Sequence, residues 1–396
     1  MLLSPSHALA HAILIGSNPA NGSLLQTAPA AVYLEFSEPV QPIGDGIIVI
    51  SPSGRRVDVG PPRRIGSQIG VTVHAGERGS YLVIWQVISA DTHPSRGRLV
   101  FSVGRVSPVV DTVGSTSLGL ELQVLSRWLH YVGYALGFGP IAFLLLVLRP
   151  LQTRGGRAAE APVWRLVSGG ILALLVSEPL SLLGQTASLG AVFDPNLAAD
   201  VLASSFGRVA AQRSAAVLLL WALLGSMREG GEGMLLIGLA FGLGLSVADG
   251  EASHAISSSP AWLGLGTNSI HMAGMGVWIG GLAALLVVWR LPNIAAIRPA
   301  LVARFGRLAA GALLLLGLSG VVLALQHVRA PDSLLHTGYG RALLAKQCAL
   351  VAVLFVVIVG LRVPLLSRWR WWLAEGLALL AVLGFAGVLV SLPPPA

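Results

Sequence analysis

The chain has 396 residues, of which 54% are apolar and 11% charged, and its mean hydropathy is +0.75. An ordinary soluble protein carries about 25% charged residues, so this composition excludes a wholly soluble protein and predicts that most of the chain lies in lipid. The formal net charge of +8 does not indicate a nucleic-acid partner, because the excess arginines lie in short loops between apolar segments, where they orient a membrane protein.

Residues 1–10 are predicted to be a partial signal peptide. They end in Ala8-Leu9-Ala10, the small-x-small pattern after which signal peptidase cuts, although the basic and apolar regions that normally precede such a site are missing. Cleavage there makes His11 the first residue of the mature protein. An unprocessed N-terminus is the alternative.

Residues 11–104 are predicted to form an all-β sandwich or barrel. Apolar and polar residues alternate with period two in short segments, and Gly and Pro residues separate these segments. The segments are residues 32–36, 46–50, 71–73, 81–87 and 99–103. Residues 105–122, rich in Ser, Val, Thr and Gly, are predicted to be a linker.

Residues 123–393 are predicted to form an all-α polytopic membrane domain of about eight transmembrane helices. Each apolar run has about the ~20 residues needed to cross a ~30 Å hydrocarbon core. The runs lie near residues 125–148, 164–184, 207–227, 233–250, 263–289, 306–326, 342–361 and 371–392. Twelve arginines follow the first, third, fifth and seventh runs, which marks those loops as cytoplasmic. The β domain and the C-terminus are therefore predicted to face outward from a bacterial cytoplasmic membrane.

Two features of the β domain can carry metal chemistry: His11 at the predicted mature terminus, and the turn that contains Asp91 and His93. The α-amine and ring of His11 form a chelate, to which His93 adds a nitrogen and Asp91 an oxygen. Such a set suits Cu(II), and the single cysteine, Cys348, excludes a cysteine-based zinc site. On spacing alone, an Asp-x-His pair is more often a turn cap than a metal site.

Three sequence blocks together resemble the CopC family of periplasmic copper-binding proteins. They are the segment from His11 to Gly22, the segment Leu34-Glu-Phe-Ser-Glu-Pro-Val40, and the segment from Tyr81 to Pro94 followed by Gly97 and Phe101. The resemblance implies a cupredoxin-like Greek-key fold and Cu(II) ligands at His11, Asp91 and His93. Two departures limit it: Thr92 stands where Gly is usual, and the domain has no Met after Met1, so a methionine-rich Cu(I) site is not expected.

The histidines of the membrane domain all fall on the outer side of the predicted topology, which suggests a copper path that faces the β domain. They are His130, His254, His271, His327 and His336. His271 and Met275 lie one helical turn apart, and imidazole with thioether is a ligand pair that can receive copper. Buried packing of the histidine against methionine is the alternative. The predicted copper path comprises His130, His254, His271, Met275 and His336.

Three further charged residues lie in or near apolar runs. Glu178-Pro179 predicts a carboxylate and a helix break in the second span, and an ionisable residue in a span is by default functional. Arg341 and Lys346 begin the seventh span, where they either snorkel outward or line a wet cavity.

The membrane region resembles the CopD family of copper-resistance membrane proteins. The resemblance is carried by Ser253-His254-Ala255, by His271 with the block from Val277 to Leu282, and by the block from Thr337 to Lys346. It implies copper uptake across the inner membrane. The sequence as a whole therefore resembles a CopC–CopD fusion that is not an enzyme and binds copper and the lipid bilayer.

Two other functions stay open at this point. A multispan histidine protein can hold haem through paired histidines and reduce copper, or it can buffer or sense copper without moving it. No nucleotide-binding loop and no phosphorylatable aspartate motif is present, so neither a nucleotide nor a nucleic acid is expected as a partner. A homo-oligomer is compatible with the sequence.

Overall fold

A computed structural model describes residues 12–90, 92–108, 118–151, 157–251, 260–327 and 332–392. His11, Asp91 and His254 from the predicted site residues lie outside these ranges, as do the predicted signal peptide and residues 109–117 of the predicted linker. The chain divides into two compact units: the β domain together with Leu182–Val209, and the remaining helical part, Leu122–Ser181 with Ala210–Ala396.

The β domain is a sandwich, as predicted. Its strands, in the described ranges, are β1 (Leu14–Asn18), β2 (Leu24–Leu25), β3 (Ala31–Phe36), β4 (Gln41–Ile50), β5 (Asp58–Ile65), β6 (Gln68–Val73), β7 (Gly79–Ile88) and β8 (Pro94–Val103). They form two four-stranded sheets in the orders β1-β3-β6-β5 and β2-β8-β7-β4. The alternating residues of β3, β6 and β7 point between the sheets, because side chains of a strand alternate between its two faces.

Trp85 anchors the inner face near the end of β7. Its ring meets Phe36 edge to face, with centroids 5.1 Å apart, and it is 6% exposed. It pairs with Gly97 across the β7–β8 ladder, and a Cβ at Gly97 would lie 2.4 Å from the Trp85 ring. The glycine therefore lets the indole lie flat over the neighbouring strand, three residue pairs before the β7–β8 turn.

The helices of the described ranges are α1 (Leu118–Phe143), α2 (Ala161–Ser188), α3 (Pro195–Leu202), α4 (Ser205–Glu229), α5 (Glu232–Glu251), α6 (Ala261–Trp289), α7 (Arg298–His327), α8 (Ser333–His336), α9 (Gly338–Leu361) and α10 (Trp369–Ser391). Eight of them, all except α3 and α8, are long and apolar enough to cross a membrane, which confirms the predicted number of spans. The first helix begins at Leu118, before the start of the apolar run. Its first turns contain the polar residues Glu121 and Gln123, so the apolar pattern starts later than the helix.

The predicted helix break at Glu178-Pro179 was wrong. The helix α2 continues through Pro179 to Ser188. A proline inside a membrane helix is tolerated where neighbouring polar groups satisfy the backbone group that it frees. Because α2 stays helical, Glu178 keeps its place on one face of the helix and points into the helical unit.

Candidate metal centre

The turn that joins β7 to β8 holds His93. The histidine side chain is buried, and its backbone carbonyl accepts hydrogen bonds from the Ser89 backbone N–H at 3.1 Å and the Ser89 Oγ at 3.0 Å. The Thr92 N–H donates to the Ser89 carbonyl at 3.1 Å, and Thr92 has a φ of +70°. These bonds fix the backbone on both sides of Asp91, which itself lies outside the described residues.

The start of the described chain lies beside this turn. Ala12 is 3% exposed, and its carbonyl accepts a hydrogen bond from the Ser95 Oγ at 3.3 Å. Ile13 is held by Ser37. The Ser37 Oγ accepts from the Ile13 N–H at 3.0 Å, and the Ser37 backbone N–H donates to the Ile13 carbonyl at 2.9 Å. The residue that follows His11 in the chain is therefore anchored two residues from His93.

The part of the chain that the structure describes contains one of the three Cu(II) ligands expected in the β domain, His93. Within that part, no three His, Cys, Asp or Glu side chains converge in a way that could hold a metal ion. The donor types at the turn still fit Cu(II), because imidazole nitrogen with carboxylate or amide oxygen suits that ion and no thiolate is required.

Residues 182–209 of the same compact unit hold the turn from outside the sheet. The Gln185 Nε2 donates to the Thr92 carbonyl at 2.6 Å, and the Ser205 Oγ donates to the Ser89 carbonyl at 3.0 Å. The Asp200 carboxylate accepts from the Gly44 N–H at 3.1 Å in β4. The end of α2 and the start of α4 thus contact the β7–β8 turn, and α3 contacts β4.

In the helical unit, the structure brings together two of the predicted residues, His130 and Glu178. The His130 Nδ1 lies 3.5 Å from the Glu178 Oε1 and 3.3 Å from the Ser177 Oγ. Its Nε2 lies 3.0 Å from the Asp249 Oδ1, and the same oxygen lies 2.8 Å from the Arg213 Nε. All four charged side chains are largely buried, and Arg213 lies against the same Asp249 oxygen as His130. This arrangement is an ion-pair network that includes a predicted copper residue.

His271 and Met275 lie apart from that network, in α6. The His271 Nδ1 is 3.0 Å from the Ser319 Oγ of α7, and Met275 is buried in the core of the helical unit. The remaining predicted residues lie in α8 and α9: His336 and Arg341 are exposed, Lys346 is half-buried, and the His336 Nδ1 lies 2.8 Å from the Asp332 carbonyl. The structure does not gather the described members of the predicted path into one cluster.

Three buried charged residues were missed in the sequence. Arg213 and Asp249 complete the His130 network, and Glu375 of α10 accepts a hydrogen bond from the Trp278 Nε1 of α6 at 2.9 Å. Each lies within a predicted span, and a charge within a span was the signal that would have singled it out. Glu375 forms no ion pair with any described residue.

Comparisons with known proteins match both parts of the chain. The family model of the CopC domain matches residues 14–104, and that of the copper resistance protein D-like N-terminal domain matches residues 117–265. The chain is 28% identical over 421 residues to the copper transport protein CutJ of Bacillus subtilis, an alignment that covers 100% of this chain and 76% of that protein.

Two further comparisons concern the β domain alone. Protein YobA of Escherichia coli is 32% identical over 106 residues, which covers 26% of this chain and 85% of YobA. The crystal structure of CopC from Methylosinus trichosporium OB3b has 23% identity and a TM-score of 0.22, and the match covers 26% of this chain and 100% of that one. Both parts of the chain thus match in the order predicted, and the protein belongs to the family of copper resistance and transport proteins in which a CopC domain is fused to a CopD-like membrane domain.

Proposed function

We propose that this protein captures Cu(II) outside the cytoplasmic membrane and passes copper to its membrane domain for import. His11, through its amine and ring, binds the ion together with Asp91 and His93. The helical unit then receives copper on the outer histidines and Met275. Copper is the cargo of the protein, and the protein performs no chemical conversion of its own.

The contact between Ala12 and Ser95 is the observation that carries the capture step. It fixes the residue after His11 beside the strand that follows His93. Consecutive Cα atoms are about 3.8 Å apart, so a ligand at position 11 stays within reach of the turn. A chelating terminus and a turn histidine from opposite ends of one domain then form a single site, which spacing along the sequence alone does not indicate.

The fusion of two copper-handling domains in one chain supports transfer. A donor tethered to its acceptor by a short flexible linker has an effective concentration on the order of millimolar. Release from the first site is then followed by intramolecular capture. Two separate proteins at low abundance would not have this advantage.

We further propose that the protein is a multipass protein of the bacterial cytoplasmic membrane, with the β domain and the C-terminus outside. Arginines and tryptophans pack together at the ends of α6 and α10 that this topology makes cytoplasmic. The Arg290 guanidinium lies 4.1 Å from the centre of the Trp369 ring, and Trp289 meets Trp372 edge to face at 4.8 Å. Such pairs are typical of a membrane–water interface.

The capture step is tested by titrating the purified full-length protein with Cu(II). We expect one tight site that His93→Ala weakens by at least about 100-fold, since removing one ligand of a chelate also loosens the others. His74→Ala is the matched control, because His74 is an exposed histidine of the same domain. Equal affinity of the His93→Ala variant and the wild type would rule out the site.

Copper accumulation in cells tests transfer and import. Cells that express the wild type are expected to accumulate copper above cells that express His271→Ala, with His336→Ala as a second probe of the path. Equal accumulation by the wild type and both variants would reduce the protein to a copper buffer. A haem Soret band in the purified protein would instead favour an electron-transfer function.

A further inference from the structure

Two side chains from residues 182–209 hold the β7–β8 turn, each by one hydrogen bond to a backbone carbonyl. Gln185 bonds Thr92 and Ser205 bonds Ser89. Thr92 lies between the two proposed copper ligands of the turn, Asp91 and His93. The Gln185 side chain therefore bonds the residue between the two proposed ligands, whereas Ser205 bonds a residue that precedes both of them in the chain.

The two contacts differ in what remains unsatisfied. The Ser205 hydroxyl uses its hydrogen in the bond to Ser89. Gln185 is 3% exposed, and its second polar atom, Oε1, is buried with no hydrogen-bond partner among the described residues. The amide cannot be turned round to correct this, because the Thr92 carbonyl accepts only and must face the Nε2.

A buried amide oxygen without a donor is destabilising, and the large majority of such atoms in proteins have a partner. An electropositive group bound at the turn would supply the missing partner, because the same side chain bonds the carbonyl of Thr92, the residue before His93. Cu(II) takes mixed nitrogen and oxygen ligands, and a glutamine oxygen is known as a weak, long ligand of copper at blue-copper sites.

We propose that Gln185 belongs to the copper site, with its Oε1 as a weak axial ligand of the Cu(II) that His93 binds. This inference rests on the proposed capture of Cu(II) at the turn and adds to it a ligand from outside the β domain. The copper site is then completed by α2, a helix of the CopD-like part of the sequence. Binding of copper then changes a contact made by the end of α2.

Electron paramagnetic resonance of the full-length protein with one equivalent of Cu(II) tests the proposal. In Gln185→Leu the loss of an axial oxygen is expected to lower g∥, to raise the parallel copper hyperfine coupling, and to weaken Cu(II) binding about 10-fold. Ser205→Ala is the matched control, because it removes the other hydrogen bond to the turn without removing an unpaired oxygen. We expect its spectrum to equal that of the wild type.

Gln185→Ala, which also carries no donor atom, provides the same readout if the leucine variant does not fold, and intact folding is checked by near-ultraviolet circular dichroism. A wild-type spectrum in a folded Gln185 variant would overturn the proposal. So would equal shifts in the Gln185 and Ser205 variants, since both would then act only by holding the turn.

His93→Ala separates this inference from the function on which it rests. If His93→Ala abolishes the Cu(II) signal and the Gln185 variants leave it unchanged, capture stands and the role of Gln185 is wrong. If His93→Ala binds Cu(II) as the wild type does, the capture site itself is wrong, and the axial ligand falls with it.

Discussion

Thr92 is a β-branched residue in the left-handed backbone region, with a φ of +70°. That conformation costs a residue with a Cβ about 1–2 kcal/mol, whereas glycine adopts it freely. The position is the one where the CopC resemblance leads us to expect glycine. The structure supplies the reason, since the turn needs a positive φ between its two proposed ligands.

Thr92→Gly is therefore expected to leave the β domain at least as stable as in the wild type. Glycine loses about 0.5–1 kcal/mol through its greater freedom when unfolded, which is no more than the strain that it removes. Thr92→Pro is the opposite case, because it removes the N–H that bonds Ser89 and should destabilise by more than about 1 kcal/mol. Hydrogen exchange of β7 and β8, measured by mass spectrometry, compares the two variants. Equal protection in both would contradict the assignment of strain.

The Arg213–Asp249 pair in the helical unit predicts a marked asymmetry between single and double substitutions. Arg213→Met leaves a buried carboxylate with only His130 beside it and should cost about 3–5 kcal/mol. Adding Asp249→Leu removes the unpaired charge and is expected to restore much of that loss. Thermal unfolding in detergent compares the wild type, the two single variants and the double variant. If the double variant is as unstable as the sum of the two single variants, the pair is not coupled.

Glu77 gives the β domain a pH dependence at low pH. Hydrogen bonds from Arg55 at 2.6 Å, and then from Ser53 at 2.8 Å, lower the pKa of Glu77 to about 2. A carboxylate whose pKa is lowered on folding stabilises the fold above its unfolded pKa near 4.3, and this contribution is lost as the pH falls toward 2.

Arg55→Ala is expected to raise the pKa of Glu77 toward its ordinary value, because Arg55 is the larger cause of the shift. Ser53→Ala should raise the pKa less. Carbon-13 NMR of glutamate-labelled protein measures the pKa of Glu77 in the wild type and in both variants, with Glu77→Gln to assign the resonance. An unchanged titration in Arg55→Ala would show that the ion pair does not form in solution.

At the scale of elements, α1 and α6 approach each other through glycine. A Cβ at Gly280 would lie 2.0 Å from the Ala135 carbonyl oxygen, and one at Gly139 would lie 2.0 Å from the Gly276 carbonyl oxygen. Gly276 and Gly280 form the small-xxx-small spacing that lets membrane helices pack closely. The block from Val277 to Leu282 that suggested CopD is thus partly a packing surface.

Gly280→Ala should therefore separate the two helices and destabilise the protein by about 1–3 kcal/mol. Gly266→Ala is the control in the same helix, since a Cβ there meets no atom within 4 Å. We expect Gly266→Ala to leave the midpoint of thermal unfolding unchanged or to raise it, because alanine favours a helix more than glycine does. Scanning fluorimetry of the purified protein compares them, and equal melting of the two variants would contradict the close packing.

Periodicity predicted the central strands and all eight long helices, because each carries an uninterrupted apolar pattern. It missed β5, whose sequence includes Pro61, Pro62, Arg63 and Arg64 and has no alternation. This strand lies at a sheet edge, where proline is tolerated and apolar alternation is not needed. Pro179 misled in the opposite direction, since membrane helices accept a proline that would end a soluble helix.

At the scale of the molecule, the loop arginines predict the orientation of every span. In a Cys348→Ser background, a cysteine at the 86%-exposed Phe193 should react with a membrane-impermeant maleimide in intact cells. A cysteine at Gly231, in the loop that follows α4, should react only after the membrane is opened. The reverse pattern of labelling would place the β domain and the outer histidines on the wrong side for capture and transfer.

Candidate site residues were predictable only where they lie in one sequence block. A local motif made His93 and its turn a candidate, and a charge inside a span made Glu178 one. The partners of these residues come from distant parts of the chain: Gln185 for the turn, and Arg213 and Asp249 for His130. Local patterns carry no information about which helix ends meet, so these contacts emerge only from the folded chain.

The joining of Leu182–Val209 to the β domain in one compact unit affects how the copper chemistry of such fusions is studied. A recombinant fragment cut after residue 104 would present the carbonyls of Ser89 and Thr92 to water in place of the side chains that normally cover them. Dissociation constants obtained from that soluble piece would describe a turn without the contacts from Gln185 and Ser205. Fragments intended to reproduce the folded turn need Leu182–Val209 grafted back.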